Sequence, residues 1–176
     1  MRNIAVRTSA ILGAAALMVL ASPAGAQTQG SAQTRNYVAA AGQSDAFEML
    51  EANTALAQSK DPKVRAFAQQ MLHDHGQLSQ SLSKAAASAG VAPPPTGVGA
   101  DQAPLLAALQ GLHGAEFDRA YWQHQALAHR SALTATQGYA ANGDSAPVRQ
   151  AATAAVPVIT AHLAMAEQMQ AQSGGS

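Results

Sequence analysis

The chain has 176 residues, 48% hydrophobic, 11% charged and 4% aromatic, and its lysines and arginines balance its acids at ten each. That length suits one domain with a real core, and a near-neutral chain with scattered Lys and Arg offers no basic patch for nucleic acid. No cysteine is present, which excludes disulfides, thiolate ligands and a lipid-modified cysteine.

The opening residues, "MRNIAVRTSAILGAAALMVLASPAGA", carry Arg2 and Arg7, then an apolar run, then Ala24 and Ala26 at the positions a signal peptidase reads. Residues 1–26 are therefore expected to be a cleaved signal peptide, making the protein periplasmic or secreted. The apolar run is too short to span a bilayer comfortably, and no later segment has the apolar length of a membrane helix, so no membrane insertion is expected. Residues 27–34, "QTQGSAQT", read as a disordered polar tail.

The rest is rich in alanine and poor in aromatic and β-branched residues, which favours helices because alanine loses no side-chain entropy in one. The expected class is all-α. A first helix runs from about Arg35 to Ser59. A second starts at Pro62 with Asp61 as its cap and ends before Gly90. "VAPPPTGVG" is the longest break, followed by a short apolar piece, "APLLAALQGL". The third long helix starts near Ala115 and stops at Asn142 and Gly143; the fourth runs from about Ala146 to Gln170. Residues 35–171 then form an up-down-up-down four-helix bundle, with 172–176 as a disordered tail.

Bundle helices bury stripes with alternating steps of four and three. On the second helix the stripe is Val64, Ala68, Met71, His75, Leu78, Leu82, Ala85, which turns His75 inward. His73, roughly 200° away, falls on the polar face with Gln69, Gln70 and Gln77. The fourth helix has Val148, Ala152, Ala155, Ile159, His162, Ala166, Met169, with His162 as its only polar member. The third has Trp122, Ala126, His129, Leu133, and leaves His124 outside. The first is less distinctive, but Val38, Ala41, Asp45, Glu48, Ala52, Ala55 is a consistent stripe that buries Glu48. Counted from an end assumed to carry both short loops, Glu48, His75, His129 and His162 lie within roughly 9 Å of one level at about 1.5 Å per residue. One carboxylate and three imidazoles are expected to meet near mid-bundle.

The segments "DPKVRAFAQQMLHDH", "GAEFDRAYWQHQALAH" and "AVPVITAHL" resemble the signature stretches of the bacterial family called domain of unknown function 4142, often labelled a predicted outer membrane protein. The resemblance covers about residues 36 to 170. The matching positions are Glu48, Met71, Asp74, His75, Phe117, Asp118, Tyr121, His129, Pro157 and His162. It implies a ferritin-like four-helix bundle and an export route, with "outer membrane" taken to reflect export or association rather than insertion. It implies no reaction.

Two functional readings follow. In one, Glu48, His75, His129 and His162 are the ligands of one transition-metal ion (zinc, copper or mononuclear iron), and Asp74, Asp118 and Tyr121 stand behind them to fix imidazole tautomers. In the other, the same residues satisfy one another by hydrogen bonds and fix helix register without an ion. Met71 and Met165 lie near enough in sequence to soften a copper site. A di-iron oxidoreductase fits less well, because Leu72 and Ile159 stand where Glu-x-x-His would need glutamates. No G-x-S-x-G, H-E-x-x-H or phosphate loop is present, so a binding or structural module is favoured over an enzyme.

Overall fold

The computed structural model describes residues 30–173; the expected signal peptide and the last three residues lie outside them. The described residues form α1 (Ala32–Gln58), α2 (Pro62–Ser88), a short α3 (Ala103–Gln110), α4 (Gly114–Asn142) and α5 (Ala146–Ser173), with no strand among them. The all-α class is as the composition implies. Helix α1 starts three residues earlier than expected, because the Ser31 side chain accepts a hydrogen bond from the Thr34 amide and caps it. The last residues of the expected polar tail are thus helical. At α2 the sequence signals hold: Asp61 accepts from the amides of Lys63 and Val64, and Pro62 occupies the first turn, where its missing N–H costs nothing. Beyond the end of α2 at Ser88, Gly90 has a φ of 66°, the left-handed conformation that lets the Val91 amide turn back to the Ala86 carbonyl.

Each long helix packs on two others: α1 on α2 and α4, and α5 on α2 and α4. Cross-helix hydrogen bonds give the directions. Ser59, at the end of α1, bonds Asp118 near the start of α4, and Lys63 at the start of α2 bonds Gln172 at the end of α5. At the opposite end, Thr34 at the start of α1 bonds Tyr139 at the end of α4. Packed neighbours are therefore antiparallel, but the order along the chain is up-down-down-up rather than the expected up-down-up-down. The difference lies in residues 89–113. Instead of turning back as a loop at one end, they travel the length of α1: Pro94 and Pro95 pass against Gly42, and Gln110 receives a hydrogen bond from Gln58. A Cβ at residue 42 would meet Pro94 at 2.5 Å, so the glycine makes room for the crossover. One long crossover is the ferritin-like way of connecting four helices.

This moves the two short turns to opposite ends, which contradicts the level count made from a shared end. The convergence survives because His129 sits near the middle of α4, so reversing the helix hardly changes its level. Above and below that level lie two apolar clusters. One holds Phe67, Met71, Phe117, Tyr121, Trp122 and, from the crossover, Leu109; the other holds Val38, Leu82, Tyr139, Val148 and Ala152. Phe117, Tyr121 and Trp122 of α4 are thus core, with Leu109 of α3 packed into their cluster.

At the turn between α4 and α5, the buried Thr34 hydroxyl is 2.6 Å from the Tyr139 hydroxyl and 2.7 Å from Asp144. Asp144 serves this clamp. Thr34→Val leaves the Tyr139 hydroxyl with only a 3.5 Å contact to Asp144. It is expected to lower the unfolding free energy by about 1–2 kcal/mol, read as a shift in urea midpoint at constant slope.

Candidate metal centre

The stripes place their histidines as expected. His75 from α2, His129 from α4 and His162 from α5 are each at most 2% exposed. Their ring centroids stand 5.4–5.5 Å apart in all three pairs, a near-equilateral triangle. One ring nitrogen of each lies within 4.8 Å of the other two. His73 is exposed, as expected.

Each imidazole is held from behind. His75 Nδ1 is 2.9 Å from Asp45 Oδ1, His129 Nδ1 donates to the Gln125 carbonyl at 2.8 Å, and His162 Nε2 is 2.9 Å from Asp74 Oδ2. The carbonyl of Gln125 can only accept, so His129 must carry its proton on Nδ1 and keep a lone pair on Nε2. Carboxylates at His75 and His162 select the matching tautomers. The remaining nitrogens, His75 Nε2, His129 Nε2 and His162 Nδ1, are buried and have no hydrogen-bond partner. Three partnerless ring nitrogens therefore face one another in the bundle interior. Phe67 closes that interior, its ring 5.9 Å from His162 and 6.5 Å from His129. Mutual hydrogen bonding accounts for the outer nitrogens of the trio and not for the inner ones.

Glu48 is fully buried but approaches the trio from outside: its Oε2 is 3.1 Å from His75 Nδ1 and its Oε1 3.7 Å from His129 Nδ1. Both are the ring edges opposite the free nitrogens. The 3.1 Å contact is an ion-pair distance without hydrogen-bond alignment, since the single Nδ1 proton points at Asp45. Asp74 stands behind His162 as expected. Asp118 does not stand behind any imidazole, because its carboxylate accepts from Ser59 at 2.5 Å at the bundle end. The Tyr121 hydroxyl is buried without a partner, its ring stacked on Phe117 and edge-on to Phe67. Met71 is core, and Met165 is 46% exposed, which removes it from any copper site.

Asp45, Glu51 and Gln125 also take part, without a role assigned by the stripes. Asp45 was placed on the inner face without a role and is the anchor of His75. Glu51, fully buried, binds His124 Nδ1 at 2.7 Å and the Gln125 amide nitrogen at 2.9 Å. That pair draws His124 in to partial burial, where full exposure was expected. Its one signal was spacing: Glu51 follows Glu48 by three residues and so shares its face.

Burial and charge set the protonation pattern. Glu48 is pushed up to about 7, mainly by burial with Asp45 and Glu51 adding, against the pull of His75. His75 is raised, because burial, which lowers it, is outweighed by Glu48, Asp45 and Asp74. His129 is lowered to about 3 by burial and by its imidazole neighbours His75 and His162. His162 is lowered by burial and His75, with Asp74 opposing. Burial raises Glu51, against the pull of His124 and Gln125, and raises Tyr121 well above its ordinary value, with Glu51 and Glu48 adding. Neutral imidazole is the form that binds metals, and His129 holds it across the whole physiological range.

A family model described as a domain of unknown function (DUF4142) matches residues 19–169. A solved structure, that of a DUF305 fragment from Deinococcus radiodurans, superposes with a TM-score of 0.70 at 17% identity, covering 82% of this chain and 99% of that one. No curated protein matches the chain. Among the described residues no helix is long and apolar enough to cross a membrane, and the matching model carries no outer-membrane description.

Proposed function

We propose that this chain, which belongs to the DUF4142 family, is an exported helical-bundle protein that binds one first-row transition-metal ion through His75, His129 and His162. The observation that carries the reading is the set of three buried, unpartnered imidazole nitrogens converging from three helices, each backed by a hydrogen bond that presents its lone pair inward. An ion with bonds of about 2.0–2.1 Å requires each imidazole to move inward by about 1 Å or less. Three imidazoles without thiolate suit zinc, copper or iron. Glu48, at the outer edges of His75 and His129, orients and charges the ligands instead of completing their number. Carboxylates at the outer edges, and no Glu-x-x-His, speak against a di-iron oxidoreductase. Export is supported by the basic, apolar and small-residue stretches that open the chain. Release by osmotic shock is the expected fractionation result, and recovery only from detergent-extracted membranes contradicts it.

Elemental analysis of protein purified without a His tag tests the metal reading. One ion per chain is expected, lost in His129→Ala and kept in His73→Ala. Asp74→Ala removes the acceptor behind His162 and is expected to weaken affinity by about 10–100-fold without abolishing it. Protein that takes up none of the three metals at any ratio overturns the reading.

A further inference from the structure

We propose that the bundle also binds a small amphipathic primary amine, its ammonium group at Glu48 and its apolar body in a cavity on the carboxylate side of His75. The cavity measures about 220 Å³ and lies between the histidine level and the Tyr139 end of the bundle. Its walls are small: Ala128 and Ala132 from α4 and Ala151 and Ala155 from α5 stand where larger side chains would fill the space, with the exposed Ala135 at its rim. Leu78, Leu82 and Ile159 add apolar surface. An apolar cavity of about 150 Å³ accommodates a benzene-sized molecule, so this one has room for a ring and a short arm. Exposed Asp101 and Ser131 are also among its lining residues and mark the side that meets solvent.

The polar end determines the head group. Asp45 is already satisfied, one oxygen by His75 and the other by Ser79 at 2.8 Å. Glu48 is not: Oε1 has only a 3.4 Å contact from Ser44, and Oε2 is buried without a donor. What this end lacks is a hydrogen-bond donor, and two carboxylates facing one imidazole favour a cationic one over a hydroxyl. An anionic head would meet like charge. Glu48 and Asp45, which line the cavity, meet His75 at Nδ1 and not at Nε2, so the proposal does not rest on a bound metal.

Binding of benzylamine, benzyl alcohol and benzoate to chelator-treated protein, measured by calorimetry, tests this. Benzylamine is expected to bind at least tenfold more tightly than benzyl alcohol, and benzoate not at all. Glu48→Gln is expected to remove the amine's advantage while leaving the alcohol. Ala132→Leu and Ala155→Leu fill the cavity and are each expected to weaken benzylamine at least tenfold with helical content retained. Nuclear Overhauser contacts from the benzylamine ring to the Ala132 and Ala155 methyl groups of the unmutated protein decide the location should either variant fail to fold. No benzylamine binding at millimolar concentration, equal binding of all three probes, or a ring without contacts to those methyls overturns the proposal.

Discussion

Added zinc, copper or iron is expected to raise the melting temperature of the chelator-treated protein by roughly 15 °C. An ion that binds only the folded chain stabilises it by about 4 kcal/mol at a free concentration a thousandfold above Kd. For a domain of this size each kcal/mol corresponds to about 4 °C. The physical origin is local. In the metal-free state three buried imidazole nitrogens face one another without a partner, and an ion replaces that arrangement with three bonds. Because the ligands come from α2, α4 and α5, the ion also joins helices that belong to different hairpins. His129→Ala is expected to abolish the rise, and His73→Ala, on the polar face, to leave it intact. The same substitutions separate a metal site from a hydrogen-bonded layer. If the layer is purely structural, His75, His129 and His162 variants still lose stability, by about 1–3 kcal/mol for each partner left unpaired, and melting temperature is indifferent to metal. A melt that shifts equally in the His129→Ala protein sinks the three-histidine site.

Metal-free protein is expected to hold its stability between about pH 6.5 and 4.5, then lose roughly 2 kcal/mol by about pH 3. His129 has a folded pKa lowered to about 3 from an ordinary 6.5, so the unfolded chain takes up a proton in that window while the folded chain does not. Its contribution is therefore complete above 6.5 and falls with pH at about 1.4 kcal/mol per unit until about 3. Glu48 acts in the opposite sense. Its folded pKa is raised to about 7 from 4.5, so its contribution is complete below 4.5 and lost as pH rises through about 7. Falling pH thus gains at Glu48 what it costs at His129, and only below 4.5 does the histidine act alone. His162, also lowered, adds to the acid loss below 6.5, and Glu51, also raised, adds to the compensation above 4.5. Glu48→Gln removes its share of the compensation and is expected to move the onset of acid destabilisation toward pH 6.5. His129→Gln is expected to flatten the limb between 4.5 and 3. Urea titrations across this range, in the presence of chelator, give the measurement; an acid limb unchanged in His129→Gln assigns it to other groups.

Much of this molecule was legible in its sequence because helices are local objects. The four-three stripes of α2 and α5 depend only on 3.6 residues per turn, and they turned His75 and His162 inward without any knowledge of the partners. The Asp61-Pro62 start and the Gly90 stop are likewise written within a few residues. Residues that act across helices were less legible. Asp118 shares a face with His129 in sequence, yet bonds Ser59, because α4 begins beside the end of α1. Glu51 and His124 find each other over 73 positions, and no periodicity of one helix records the face of another. The direction of α4 was decided by the path of residues 89–113, which the Pro-Gly composition marks as a break without saying how far it travels. Nor does a stripe specify which imidazole nitrogen faces inward. That is decided by the acceptor behind each ring, Asp45, the Gln125 carbonyl and Asp74, and two of those three come from other helices. Sequence alone determined that three histidines would be buried; only the packed bundle, by its crossover and by supplying an outward acceptor for each ring, decided that all three would share one level and turn a partnerless nitrogen to the same point.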